Sequence, residues 1–259
     1  MLTIDEVANA SPARRWPPLG KLLLALALLT VSLASSTLLV PLIVLIIGLA
    51  LLAYSTAFRF PRLIMLAILD GLAVVAAGAL IIAIVTPGAP MYVLPLGPWD
   101  IALTDAGIDR AALVLLRSFA GISVMLFFAT STPIPHLAHA MRSLRLPREI
   151  SELVILVYRY TFLVLEQSER MFIAARCRLG TKGLKNSLRT FSRIAVGMFT
   201  RSIDAAERSQ TALYCRDFRG DFPSYREPAP LNGIWMLLSL LSFLTLLLAD
   251  RALSSVVVL

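Results

Sequence analysis

Five apolar runs, each close to the length that crosses a bilayer, decide what this chain can become. They cover residues 19–36, 38–57, 63–86, 110–131 and 234–249. A helix rises about 1.5 Å per residue, so about 20 residues cross about 30 Å of hydrocarbon. Backbone polar groups in lipid must be satisfied within the segment, which favours helices. Hydrophobic residues make up 58% of the 259, against roughly 45–50% in a soluble domain. The mean hydropathy is +0.81. The expected fold is an all-α membrane protein with about five transmembrane helices, and the soluble classes are excluded.

The polar segments between the runs set the expected orientation. Residues 1–18 end in Arg14-Arg15-Trp16-Pro17-Pro18, where prolines disfavour helix and arginines favour the cytoplasm. Ser35-Ser36-Thr37 reads as a tight turn, and Pro41 is tolerable in a first helical turn. Arg59 and Arg62 mark a return to the inside. Residues 87–109 are rich in Pro and Gly and carry Asp100, Asp105 and Asp109, which suits an outside loop anchored by Tyr92 and Trp99. Five crossings from an inside N-terminus leave the C-terminus outside. No cleavable leader is expected, because the first run is long and lacks a small-residue processing site. Four charges fall within the spans: Lys21 leads the first, Asp70 lies in the third, and Arg110 opens the fourth, which also holds Arg117. Asp70 reads as an ion ligand or as a hydrogen-bonded carboxylate, and the second is preferred because no other acid lines up with it. Arg117 is close enough to its helix end to snorkel outward.

Between the fourth and fifth runs the character changes. Thr132-Pro133-Ile134-Pro135 breaks the helix, and 136–146 forms a short amphipathic piece carrying His136 and His139. Two histidines three apart can share a metal, but no third ligand accompanies them, so interfacial histidines are preferred. Two long helical readings follow, 147–178 and 184–218. Each would reach roughly 45–50 Å if straight. The second sets Leu184, Leu188, Phe191, Ala195 and Met198 against Arg189, Arg193, Arg201 and Arg208, the pattern of a helix on protein or on a membrane surface. Residues 142–219 hold fifteen of the 24 lysines and arginines, which places them inside. The expected organisation is a membrane domain over 1–131, a cytoplasmic coupling domain over 132–230 and a last membrane helix over 231–259. Cys177 and Cys215 are the two cysteines, and free thiols are expected there.

Each long helix ends in a similar cluster. Glu169-Arg170 precedes Arg176-Cys177-Arg178-Leu179-Gly180; Glu207-Arg208 precedes Cys215-Arg216-Asp217-Phe218-Arg219-Gly220. Arginine in a last turn complements the helix dipole and glycine ends helices, which accounts for one copy. Two copies, with Arg176 and Arg216 forty residues apart, point instead to docking. A guanidinium seated in a groove fixes a carboxylate by two hydrogen bonds, and small neighbours such as Ala175, Cys177 and Cys215 permit close approach. Two such tips suit a partner with two equivalent grooves.

These residues resemble the transmembrane T component of energy-coupling-factor ABC transporters, of the CbiQ type found in cobalt and nickel importers. The resemblance covers most of the chain: the opening around Arg15-Trp16-Pro17-Pro18, the 146–180 block with Tyr158-Arg159-Tyr160, and the 201–220 block. Family members carry two Ala-Arg-Ser/Gly motifs at coupling-helix ends, matched here by Ala175-Arg176-Cys177 and Cys215-Arg216-Asp217. Cys177, Cys215 and Asp217 depart from that pattern, and Asp217 could pair with Arg219 or weaken docking. The resemblance implies coupling residues Ala175, Arg176, Cys177, Arg178, Gly180, Cys215, Arg216, Asp217, Arg219 and Gly220. It implies a cytoplasmic ATPase dimer (CbiO-like) and a substrate-binding membrane subunit (CbiM-like) as partners, with room for a small accessory subunit (CbiN-like). The setting is the inner membrane of a prokaryote. Cobalt is the favoured cargo; nickel or a vitamin such as biotin would also fit.

Catalysis by the chain itself is not expected. No G-x-x-x-x-G-K-[ST] phosphate loop occurs, and no nucleophile–base–acid set is visible, so no cofactor is implied. A stand-alone permease would need polar residues along several spans, and only Asp70 and Arg117 qualify. A membrane enzyme with His136 and His139 as metal ligands is a second competing reading, and a module gripping anionic lipid is a third. The net charge of +8 accompanies no nucleic-acid-binding motif.

Overall fold

A computed structural model describes residues 4–57, 62–87, 90–96, 99–144, 146–218 and 232–257. Two compact units divide it: residues 1–137 with 228–259, and residues 138–227.

The first unit is a helical bundle with one small hairpin. Its helices are α1 (Ile4–Ala10), α2 (Pro18–Ala34), α3 (Leu39–Ser55), α4 (Arg62–Val85), α5 (Asp105–Ser131) and α9 (Gly233–Val257). Three stretches, Ile64–Val85, Asp105–Ser131 and Gly233–Leu253, are long and apolar enough to cross a membrane. The helices α2 and α3 are apolar but have 17 residues each. At 1.5 Å per residue each spans about 25 Å, the short end of what a bilayer accepts. Among the described residues, three helices long and apolar enough to span and two shorter apolar ones fit a multi-pass membrane protein. The last helix runs past the 234–249 apolar core, within the 231–259 expected for it.

Two segments differ from expectation. Residues 1–18 are not merely a polar, proline-broken lead. They form α1 and a 3-10 turn at Pro12–Arg15, where Ser11 Oγ accepts from Ala13 N at 3.3 Å. Prolines at the start of a turn cost no hydrogen bond, which is why helix survives there. The loop expected over 87–109 holds two antiparallel strands, β1 (Pro90–Leu96) and β2 (Trp99–Thr104), and the first turn of α5. Thr104 ends this hairpin and caps α5: its hydroxyl accepts from Gly107 N at 3.2 Å and donates to Thr86 O at 2.8 Å. Gly107 is obligatory, since a Cβ there would lie 2.5 Å from Ala83 O.

The core gathers on α3 and α5. Leu28, Val31, Val40, Val44, Leu52, Val124 and Phe127 are buried together. Gly48 lets the two helices approach; its absent Cβ would stand 2.3 Å from Ser123 Oγ. Nearby, Ser55 and Thr130 hydroxyls share a 2.6 Å hydrogen bond.

Charged side chains lock the ends of this bundle. Lys21, 1% exposed, donates to Ser131 O and, at 3.3 Å, to Ala13 O. One ammonium thereby ties the 3-10 turn to the last residue of α5. Trp16 stacks on Tyr54 and tilts against Trp235, with centroids 5.4 and 5.1 Å apart. At the opposite end Arg117 does not snorkel outward. It donates to Ser35 O, filling an orphan carbonyl at the close of α2. Asp250 on α9 accepts from Ser36 N, Thr37 N and the Thr37 hydroxyl, the last at 2.9 Å. The chain therefore leaves this bundle after α5, and returns into α9, at the end that carries Arg14 and Arg15.

The second unit is two long helices, α7 (Arg148–Cys177) and α8 (Leu184–Tyr214); the short α6 (Ile134–Ser143) leads into it across the boundary.

Candidate functional site

The two tips belong to α7 and α8. The first follows the expected pattern: Glu149 sits in its first turn and Arg176 in its last, each favourable to the helix dipole. An exposed Glu166–Arg170 pair at 2.6 Å, one turn apart, adds a few tenths of a kcal/mol at most. Gly183, at φ 82, turns the chain into α8. The helices run antiparallel. Thr190 Oγ1 donates to Gly180 O at 2.8 Å, and Ser187 Oγ to Thr181 O at 3.2 Å, which fastens the connection to α8. Further along, a Cβ on Gly197 would come 2.9 Å from Met171 Cε. A groove of about 690 Å³ then opens between the helices, with Tyr160, Leu163 and Gln167 on one wall and Met198, Ser202 and Ala206 on the other.

α8 has no buried residue along its 31 positions. Leu184, Phe191, Val196 and Phe199 are each 67% exposed or more. A helix of this length with no fully buried residue leaves most of one apolar face open.

The structure places most of the expected tip residues. Ala175 and Gly180 are half-buried; Arg176, Cys177, Arg178, Cys215, Arg216 and Asp217 are exposed. Both cysteines are free thiols. Arg219 and Gly220 lie outside the described residues. The tips are not brought together: one is at the hairpin turn, the other at the far end of α8. From Thr190, which touches Gly180, to Arg216 is 26 residues, about 39 Å of helix.

Backbone closure is the feature that sequence reasoning missed. At the first tip Gly180 N donates to Ala175 O at 2.9 Å and Leu179 N to Arg176 O at 3.0 Å, with Leu179 left-handed at φ 56. At the second, Phe218 N donates to Leu213 O and Asp217 N to Tyr214 O, both at 3.1 Å, with Asp217 at φ 49. This is the same helix-ending motif twice. Each copy uses a non-glycine left-handed residue, which costs roughly 1–2 kcal/mol and is rarest for a bulky side chain such as Leu179. Gly180 is needed one place later, because a Cβ there would meet Thr190 Oγ1 at 2.9 Å.

Other candidate residues are scattered. Asp70 is exposed on α4. His136 and His139 are half-buried on α6. Among the described residues no three His, Cys, Asp or Glu side chains gather as a metal site.

A multi-pass helical membrane protein with a long basic hairpin, an arginine at or just past the end of each helix, is the class these features define. The chain belongs to the CbiQ cobalt transport protein family, whose model matches residues 9–226. It is 32% identical over 146 residues to cobalt transport protein CbiQ of Rhodobacter capsulatus, covering 56% of this chain and 60% of that protein. An uncharacterized protein of Methanocaldococcus jannaschii is 29% identical over 217 residues, covering 84% of this chain and 81% of its own length. A protein of Methanocorpusculum labreanum, provisionally named a fused cobalt transport protein CbiMQ, is 28% identical over 219 residues, 84% of this chain and 36% of that one.

Proposed function

We propose that the protein is the membrane-embedded coupling subunit of an ATP-driven importer, serving cobalt uptake. In this reading a cytoplasmic ATPase pair supplies the movement, and a separate CbiM-like membrane subunit holds the ion. The arginine-bearing ends of α7 and α8 receive the push, and the two helices carry it. The single observation behind this is the repeated exposed arginine at the helix ends of a hairpin whose second helix has no fully buried residue. Family membership supports the transport setting. The fused relative's name joins CbiM and CbiQ in one chain, which favours a CbiM-like neighbour here.

The expected orientation also draws support from the bundle. Arg14, Arg15 and Lys21 cluster at the end from which the chain departs to α6, α7 and α8. Basic residues gather on the cytoplasmic side, so the N-terminus and residues 138–227 share the inside. A multi-pass chain so placed in a prokaryotic inner membrane presents both tips to soluble ATPases.

The test is affinity purification of the tagged chain from membranes of its own cell. An ATPase pair and a small membrane subunit should come with it. Recovery of the chain alone in every mild detergent tried, with ion uptake unaffected by its deletion, would end the proposal. Metal-dependent uptake assays with cobalt and nickel, and a biotin arm, then separate the cargoes.

A further inference from the structure

The two helix tips correspond residue by residue, and the correspondence is not the one the arginine spacing suggests. Matching the tips on their left-handed residues aligns Leu179 with Asp217. Arg178 then falls on Arg216 and Cys177 on Cys215. Arg176 falls on Tyr214, not on an arginine.

Three independent observations agree with that register. The hydrogen bonds closing the two ends join the same positions, Gly180 to Ala175 and Phe218 to Leu213. Exposure follows the same order: half-buried at 175 and 213, exposed for four residues, half-buried again at 180 and 218. The sequence itself repeats at this offset of 38. Glu169-Arg170, Ala174 and Cys177-Arg178 recur as Glu207-Arg208, Ala212 and Cys215-Arg216.

Arg176 is engaged elsewhere. Its guanidinium carbon lies 5.6 Å from the centroid of the Phe172 ring, one turn back on its own helix. A cation over an aromatic face is held by the ring's quadrupole, so this side chain is directed along α7 and not off its end.

We infer that Arg178 is the docking arginine of the first tip, the counterpart of Arg216, and that Arg176 is a positioning residue which stiffens the end of α7. Both tips present one unit: cysteine, then arginine, then a left-handed residue that turns the backbone away. Two copies of one unit fit a partner with two equivalent grooves, each holding a carboxylate for the guanidinium fork. This rests on the coupling reading above and names the residues that carry it.

The experiment uses the whole complex, purified through a tag on this chain. Four variants are compared: Arg178→Ala, Arg216→Ala, Arg176→Ala and Arg178→Lys. Retained ATPase is measured after a salt wash, with helix content by circular dichroism as the folding control. Arg178→Ala and Arg216→Ala should each lower retention at least about tenfold, the scale of a lost interfacial arginine. Arg178→Lys should recover only part, because an ammonium cannot make the two-bond contact. Arg176→Ala should stay within about twofold. If Arg176→Ala and Arg216→Ala are damaging while Arg178→Ala is neutral, the assignment fails and the coupling reading survives. If no variant lowers retention, the coupling reading fails and takes the assignment with it.

Discussion

Basic side chains do opposite jobs in the two units. In the bundle Lys21 and Arg117 are consumed. Lys21 is buried and donates its protons to carbonyls of residues 13 and 131, while Arg117 closes the end of α2. In the hairpin they are displayed: Arg178 caps α7 and Arg216 follows the cap of α8, both exposed, and no residue of α8 is fully buried. The difference follows from solvent. A charge among apolar helices must find partners within its own chain. A charge on a surface helix can wait for one. The same residue type is thus tied into the fold in one unit and left open to solvent in the other.

The contrast is broken most severely at Lys21. Lys21→Met keeps the stem's volume but strands the buried carbonyl of Ser131, whose residue is fully buried. An orphaned buried acceptor costs about 1–3 kcal/mol. The purified protein in detergent should melt several degrees lower. An unchanged melting temperature would mean that Lys21 contributes no net stability and that basic residues are not structural in the bundle.

Packing should be nearly as sensitive. Gly48→Ala drives a methyl into Ser123 Oγ and crowds Ser123 Cβ and Val124 Cγ2 at 3.2 Å, so Ser123 must turn or α3 and α5 must shift apart. Overpacking of this kind costs about 1–3 kcal/mol. Combining it with Ser123→Ala removes the closest clash and should restore part of the loss. Additive effects in the double variant would show that the contact is not shared.

A smaller effect is expected at the far end. Asp250→Ala removes the acceptor for Ser36 N and Thr37 N, the groups that lead into α3. Loss of a helix-start acceptor costs about 1 kcal/mol, and less where water can replace it. Faster hydrogen exchange at Ser36 and Thr37, with the rest of the bundle unaffected, is the sharper readout.

Much of the fold is legible from residues alone. Apolar runs mark the helices of the bundle because length and hydropathy suffice to identify a span, and Pro147 marks where the first long helix begins. The hairpin at 90–104 is hidden by its prolines and glycines, which read as loop wherever they occur. The partners of Arg117 and Asp250 are hidden because they lie 82 and 214 residues away. The register of the two tips is half visible. The Glu-Arg pairs already stand 38 apart, but the arginines at 40 offer a rival spacing, and only backbone closure shows which arginine holds which position.

The smallest predicted effect is the one that bears most on the contrast between the units. Arg178→Ala removes an exposed side chain from a helix cap, with no hydrogen bond of its guanidinium to break among those described. Surface substitutions of that kind shift stability by no more than about 0.5 kcal/mol. Its melting temperature should therefore match the parent, while Lys21→Met, an equally simple loss of one positive charge, lowers it. Equal destabilisation by both would mean that the hairpin's basic residues also hold the fold together. A silent Arg178→Ala beside a damaging Lys21→Met leaves recognition as the use for a charge that the folded chain does not need.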